Sequence, residues 1–223
     1  MALSKRQSFD PFDLNLLAKY NLDTTTTESG RIYHTPDGDF ASVTTILGRR
    51  FPFDATAWKE RIGYTQADII KDKAARRGTE LHNILEKFLL NEEYYKDSHS
   101  VARMRFDPVA RRIRRHVGKV YGAEVPLWSR RLKTAGKADG VVTWDNKLAI
   151  LDLKTSIRHK KEEHITSYFV QATAYGLLLE ERYGMLPEKI IIMFSDDDFN
   201  VFFYEKNLED FRATTEDIFC KSQ

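Results

Sequence analysis

Apolar and polar side chains alternate through Arg31-Ile32-Tyr33-His34 and again through Asp39-Phe40-Ala41-Ser42-Val43. That is the period of two a half-buried strand requires, and Pro36-Asp37-Gly38 between the runs reads as a hairpin turn. Thr24 to Thr27 reads as a short polar link. Over residues 54–91 the period lengthens to that of a helix, beginning at an Asp54 N-cap. Gly78 is expected to interrupt it, with Thr79 capping a second helix whose Leu81, Ile84, Leu85, Phe88 and Leu89 share one face. Asp107-Pro108, a cap followed by proline at the first helical position, predicts a third helix to about Val120. Strands are then expected over residues 123–130, 137–144 and 147–154, followed by a helix over 163–183 ended by Gly184 and Pro187. Strands at 189–195 and 200–204 and a closing helix at 207–219 complete the chain. Helices leading into a sheet, with one helix crossing between strands, predict an α/β fold: a mixed central sheet flanked by helices.

Composition narrows the class. Hydrophobic residues are 42% and charged residues 30% of the 223 positions, as in a globular protein. The most apolar run, Ile190 to Phe194, is strand-sized, so no membrane span is expected. The first fifteen residues carry no charged-then-apolar leader. Cys220 is the single cysteine, which excludes an internal disulfide and a cysteine-rich metal site and suits a cytoplasmic setting. The net charge of +2 does not by itself announce a nucleic-acid partner.

The chemistry concentrates in the segment from Gly136 to Lys154. If Asp145 and Asn146 form a two-residue turn, Trp144 faces Lys147, and counting outward sets Asp139 opposite Asp152. A four-residue turn gives the same pairing; a three-residue turn sends Asp139 to the other face. Opposed residues have Cβ atoms about 4.5–5.5 Å apart, and Lys154, two beyond Asp152, points to the same face. Two adjacent carboxylates destabilise a fold unless a cation lies between them, and Mg²⁺ or Mn²⁺ meets that need. An ordinary hairpin with exposed acids is the alternative, but Val141, Val142, Leu148, Ile150, Leu151 and Leu153 make an unpaired charge costly here.

Two helices offer further groups. His82 lies at the edge of the apolar face of its helix, one turn before Glu86, positioned to reach into a cleft or to bond Glu86. In the almost wholly apolar helix 163–183, Gln171, with Tyr175 one turn on, must find partners at an active site or on a sheet carbonyl.

In order, Gly78-x-x-x-His82-x-x-x-Glu86, Gly136-x-x-Asp139-Gly140, Asp152-Leu153-Lys154-Thr155-Ser156 and Gln171-x-x-x-Tyr175 resemble the motif set of RecB-type nucleases of the PD-(D/E)XK superfamily. The resemblance covers roughly residues 78–175. It implies a restriction-endonuclease-like core over 78–223 preceded by a hairpin and helical elaboration over 1–77, the whole forming one compact unit. It further implies Mg²⁺ or Mn²⁺ bound by His82, Asp139, Asp152 and the Leu153 carbonyl, with Asp139, Asp152 and Lys154 catalytic and Glu86, Gln171 and Tyr175 supporting the site. Ser42-Val43-Thr44-Thr45-Ile46-Leu47 and Trp58 are more loosely similar to phage exonucleases and the mitochondrial genome maintenance exonuclease. Ala138 stands where the superfamily's name has proline, and the four cysteines of iron–sulfur relatives are absent, so no cluster is expected.

The activity implied is a metal-dependent DNA exonuclease on single-stranded or end-containing DNA, phage or bacterial, working with replication or recombination proteins. A structure-selective endonuclease and a non-catalytic DNA-binding subunit are the alternatives. Basic residues supply a candidate surface: Arg103, Arg105, Arg111, Arg112, Arg114, Arg115, His116 and Lys119, most expected on the solvent side, and Arg158, His159, Lys160 and Lys161. Trp128 and Tyr168 near them offer rings to bases or to the core.

Overall fold

A computed structural model describes residues 9–11, 17, 20–96 and 98–221. In chain order the elements are β1 (Asp10–Pro11), β2 (Asp23–Thr27), β3 (Gly30–Thr35), β4 (Gly38–Ser42), α1 (Val43–Arg50), α2 (Ala55–Ile62), α3 (Tyr64–Leu89) and α4 (Ser100–His116). There follow β5 (Val117–Ser129), β6 (Thr134–Trp144), β7 (Lys147–Thr155), a 3₁₀ turn (Glu162–His164), α5 (Thr166–Tyr183), β8 (Lys189–Ser195), β9 (Val201–Asn207) and α6 (Glu209–Lys221). All the strands join one mixed sheet in the order β2-β3-β4-β6-β7-β8-β9, with β5 on the other edge of β6 and β1 beside β5.

Alternation along the central strands sorts the core into two layers. On one face Ile150, Ile190, Ile192 and Phe194 pack against Val170, Ala174, Leu177 and Leu178 of α5. On the other, Leu151, Leu153, Ile191 and Met193 meet Leu81, Leu85 and Phe88 of α3 and Val109 and Ile113 of α4. Strands covered on both faces must be apolar at every step.

The edge of β6 facing β7 is divided between two partners. Gly140 to Trp144 pair with β7, while Thr134 and Ala135 pair in parallel with Ala41 and Ser42 of β4. Residues 136–139 lie in the fork between these ladders.

Several boundaries differ from those expected. The break in the first long helix falls at Gly63, at φ 88°, rather than at Gly78, which continues α3 as an ordinary helical residue. Among non-prolines glycine alone reaches such backbone freely, and it is tolerated within a helix at about 1 kcal/mol. Residues 77 and 78 both lie within α3, and β4 joins the front segment to the common sheet. Thr24 to Thr27 belong to β2, an exposed edge strand built from β-branched residues rather than a link. The alternation through Val43 ends in α1 because Ser42 Oγ accepts from Thr45 N at 3.0 Å and caps a helix there. Pro108 sits inside α4, which starts at Ser100; the carbonyl its ring leaves without a donor belongs to solvent-exposed Met104. Val117, expected in that helix, instead begins β5.

Candidate active site

The Asp145-Asn146 turn takes the two-residue form, with both residues at positive φ (47° and 66°), and pairs Trp144 with Lys147. The ladder runs to Gly140–Leu151 and stops one step before Asp139 and Asp152 would oppose each other. In place of that pairing, Asp139 Oδ2 accepts a hydrogen bond from the Leu153 amide at 2.7 Å, so the carboxylate closes the fork that the backbone leaves open. Asp152 is 1% exposed and receives the Lys154 ammonium at 2.9 Å on Oδ1 and 2.7 Å on Oδ2.

His82 arrives at the fork from α3. Its Nε2 lies 2.6 Å from the Leu153 carbonyl oxygen and 3.6 Å from Asp139 Oδ2. A carbonyl only accepts, so Nε2 carries the proton. The alternative contact, His82 to Glu86, is not formed; Glu86 stands near Glu124 and raises that group's pKa.

Glu124 is the residue that sequence reasoning missed. It lies on β5 between Ala123, paired with Gly140, and Val125, paired with Ala138, and so stands beside Asp139 across the strands. Its φ of 48° is unusual for a residue with a side chain and costs on the order of 1 kcal/mol or more. Ligand atoms of His82, Glu124 and Asp139 all lie within 4.8 Å of one another, a set suited to a divalent cation. Asp152 is not in this set, its carboxylate being held by Lys154. Burial first, and then the Asp139 charge, push the Glu124 carboxyl above the usual range. Burial likewise pushes Asp152 up to about 6, opposed by Lys154 and reinforced by Asp139. Burial works against the Lys154 ammonium, but Asp152 and Asp139 outweigh it and hold its pKa above the ordinary lysine value.

On the α5 side, Gln171 Nε2 donates to the Tyr175 hydroxyl at 3.3 Å, and both residues are buried. Burial holds the Tyr175 phenol far above its usual pKa, so it keeps its proton. The Tyr175 ring lies against Gly136, where an added Cβ would come within 2.8 Å of Cε1. Gly136→Ala is therefore expected to displace a fully buried ring and cost about 1–3 kcal/mol, measured as a lower urea midpoint. An unchanged midpoint would mean the ring moves freely.

These groups open into one polar cleft of about 390 Å³, lined by His82, Glu124, Asp139, Lys154, Gln171 and Tyr175 and walled by Arg31 and Tyr33 of the front hairpin. Beyond the end of β7 lies a second hollow of about 630 Å³ lined by Arg77, Ser156, Arg158, His159 and Lys160. Lys160 Nζ approaches the Tyr168 hydroxyl at 3.3 Å, next to the site, whereas Lys161 turns to Glu163 at 3.9 Å.

The arginines of α4 do not all face solvent. Arg105 is buried, bonded to Asp197 Oδ1 at 2.9 Å and the Asp196 carbonyl at 2.7 Å, because the β8–β9 loop brings acids over that face. Arg114 lies over Phe88 and donates to the Tyr94 hydroxyl. Arg111, Arg112 and Arg115 remain exposed around a hollow of about 490 Å³ that shares no lining residue with the cleft.

The chain matches no protein-family model and no curated protein in sequence. Among solved structures it resembles SSO0001, at 15% identity and a TM-score of 0.39, over 81% of this chain and 85% of that one. It also resembles a proposed exonuclease of Eubacterium rectale, at 16% identity and a TM-score of 0.43, over 67% of this chain and 65% of that one. Likenesses this distant carry no weight for function. Among the described residues no helix is long and apolar enough to cross a membrane.

Proposed function

We propose that this chain is a Mg²⁺- or Mn²⁺-dependent deoxyribonuclease of the PD-(D/E)XK type, RecB branch, acting as an exonuclease on single-stranded or end-containing DNA. One observation carries the reading: His82, Glu124, Asp139 and the Leu153 carbonyl meet at a fork in the sheet, beside a buried Asp152–Lys154 pair, in a single cleft. A protein that only bound DNA would have no use for two carboxylates, Glu124 and Asp139, in a cleft meant for phosphate, with a third, Asp152, buried behind it.

The donors His82, Glu124, Asp139 and the Leu153 carbonyl fit a hard divalent ion and are the groups that would hold it; Asp152 would join them only where its pair with Lys154 opened. His82 Nε2 would give up its proton to bind the ion. Bound there, the ion would polarise the phosphate and lower the pKa of water. Asp152 and Asp139 favour the charged form of Lys154, a group able to offset charge that builds on the phosphate oxygens. Gln171 and Tyr175 fix the wall opposite, the phenol as a donor held in place by Gly136.

End-labelled single- and double-stranded oligonucleotides with Mg²⁺, Mn²⁺ or EDTA test this, comparing the native chain with Asp152→Ala and Lys154→Ala. Metal-dependent degradation that disappears in both variants is expected, and mononucleotide or short products released from one end would mark an exonuclease. Internal products would make it an endonuclease. Retained binding with no cleavage of any substrate would leave a non-catalytic DNA-binding protein.

Arg158 and Lys160, near the site, and Arg111, Arg112 and Arg115 on the separate face are proposed to meet the phosphate backbone. Removing Arg158 and Lys160 together is expected to flatten the slope of log K against log salt by about 0.7 for each single-strand phosphate no longer neutralised. An unaltered slope would identify them as solvated charges only.

A further inference from the structure

Beside the acidic cleft, between α1 and the start of α5, lies a smaller hollow of about 200 Å³ lined by Thr44, Leu47, Phe51, Ser167, Tyr168 and Gln171. Thr44 and Gln171 line both cavities, so the two adjoin across those side chains. The hollow is mainly apolar where the cleft is polar. Its volume is below the roughly 300–1,000 Å³ of a site for a whole small molecule, so it suits one ring system of a larger ligand anchored elsewhere. Phe51 is 38% exposed at the end of α1, its ring open to the hollow and 5.9 Å from the Arg50 guanidinium. Tyr168 forms part of the floor, and Lys154 and Lys160 both stand 5.3 Å from its ring centre. An aromatic surface flanked by two ammonium groups is the combination that receives a base together with its neighbouring phosphates. The Gln171 amide and the Thr44 and Ser167 hydroxyls provide donors and acceptors for the edge of a base.

We propose that this hollow holds one unpaired nucleobase of the strand whose phosphate lies in the adjoining cleft, stacked on Phe51 and Tyr168. The inference rests on the cleft being a nucleic-acid site. It adds a consequence: a base must leave its partner to enter, so paired DNA has to fray before it is cut.

The test uses the full chain carrying Asp152→Asn, to prevent cleavage, and single-stranded oligonucleotides with 2-aminopurine at each position in turn. Binding should change the fluorescence at one position much more than at its neighbours. Adding Phe51→Ala should abolish that signal and weaken single-strand binding about 5- to 150-fold, the range for loss of one base–aromatic stack. Phe51→Trp should preserve both, and the affinity for a blunt duplex should not change with Phe51→Ala. Phe51 is partly exposed and lies outside the buried core, so its removal should leave the fold intact, which far-ultraviolet circular dichroism would check. Signals spread evenly along the strand, or unaltered by Phe51→Ala, would overturn the base pocket while leaving the nuclease reading in place. No DNA binding by this protein, together with no cleavage by the native chain, would overturn both.

Discussion

Asp152→Asn is expected to abolish metal-dependent DNA cleavage and, in EDTA, to make the protein more stable. On the nuclease reading proposed above, the first effect follows from removing the carboxylate that holds Lys154 beside the His82, Glu124 and Asp139 ligand set. Losing several kcal/mol of the stabilisation these groups supply corresponds to a fall of about 10³-fold or more. The second follows from burial. Asp152 is 1% exposed, and its pKa is pushed up to about 6 from an unfolded value of 3.8. Between these values the folded protein binds the proton and the unfolded chain does not. Stability from this group therefore falls as pH rises through the window, and above about 6 the full penalty applies. Asparagine, which carries no charge to bury, should therefore gain stability at pH 7.5 and almost nothing at pH 4. Thermal unfolding of both proteins in EDTA across this range measures it. Mg²⁺ or Mn²⁺ should raise the native midpoint, and raise the variant's less, since His82, Glu124 and Asp139 remain. A variant less stable than the native protein at pH 7.5 would show that the pair with Lys154 contributes net stability, contrary to this expectation.

Trp128→Ala is expected to cost about 3–5 kcal/mol, a large part of the total for any domain. The indole is 1% exposed, edge-on to Tyr20 at 5.1 Å, with the Arg182 guanidinium 3.5 Å from its ring centre. Its Nε1 donates at 2.8 Å to Asp37, in the turn between β3 and β4, and Arg130 and Arg182 bind the same carboxylate. Losing the indole removes the filler of a small core with Leu22, Tyr33 and Ala135 and releases the turn above it. Urea unfolding should show the reduced stability, and limited proteolysis should cut residues 24–38 faster. A loss below about 1 kcal/mol with unchanged protection would mean that the pairing of β4 with β6 holds the hairpin unaided.

The parts of this site legible in the sequence are those governed by local periodicity. The Asp145-Asn146 turn takes positive φ at both residues, which asparagine and aspartate tolerate, and that choice carries the register to Gly140 and Leu151. The apolar face of α3 places His82 at its border, where it reaches the Leu153 carbonyl. Glu124 could not be read in this way. It is one acid among apolar neighbours in a strand, and its role depends on a left-handed backbone and on which β6 residue lies beside it. Arg105 misled for a related reason: helical spacing predicts which side it takes, and only the distant Asp196–Asp197 loop makes that side an interior. Gly63 and Gly78 are alike as letters, and tertiary packing decides which one ends a helix.

The narrow attachment of the front segment sets how substrate handling could change. β4 enters the sheet through two residue pairs, Ala41 with Thr134 and Ser42 with Ala135, and the Asp37–Trp128 contact fastens the far end of the hairpin. The cleft wall is thus held beside the candidate site by a short ladder, one hydrogen bond and the small core of Leu22, Tyr33, Trp128 and Ala135. On the nuclease reading, a longer, shorter or differently charged hairpin that kept these attachments would alter which strand ends gain entry while Asp139, Asp152 and Lys154 kept their places.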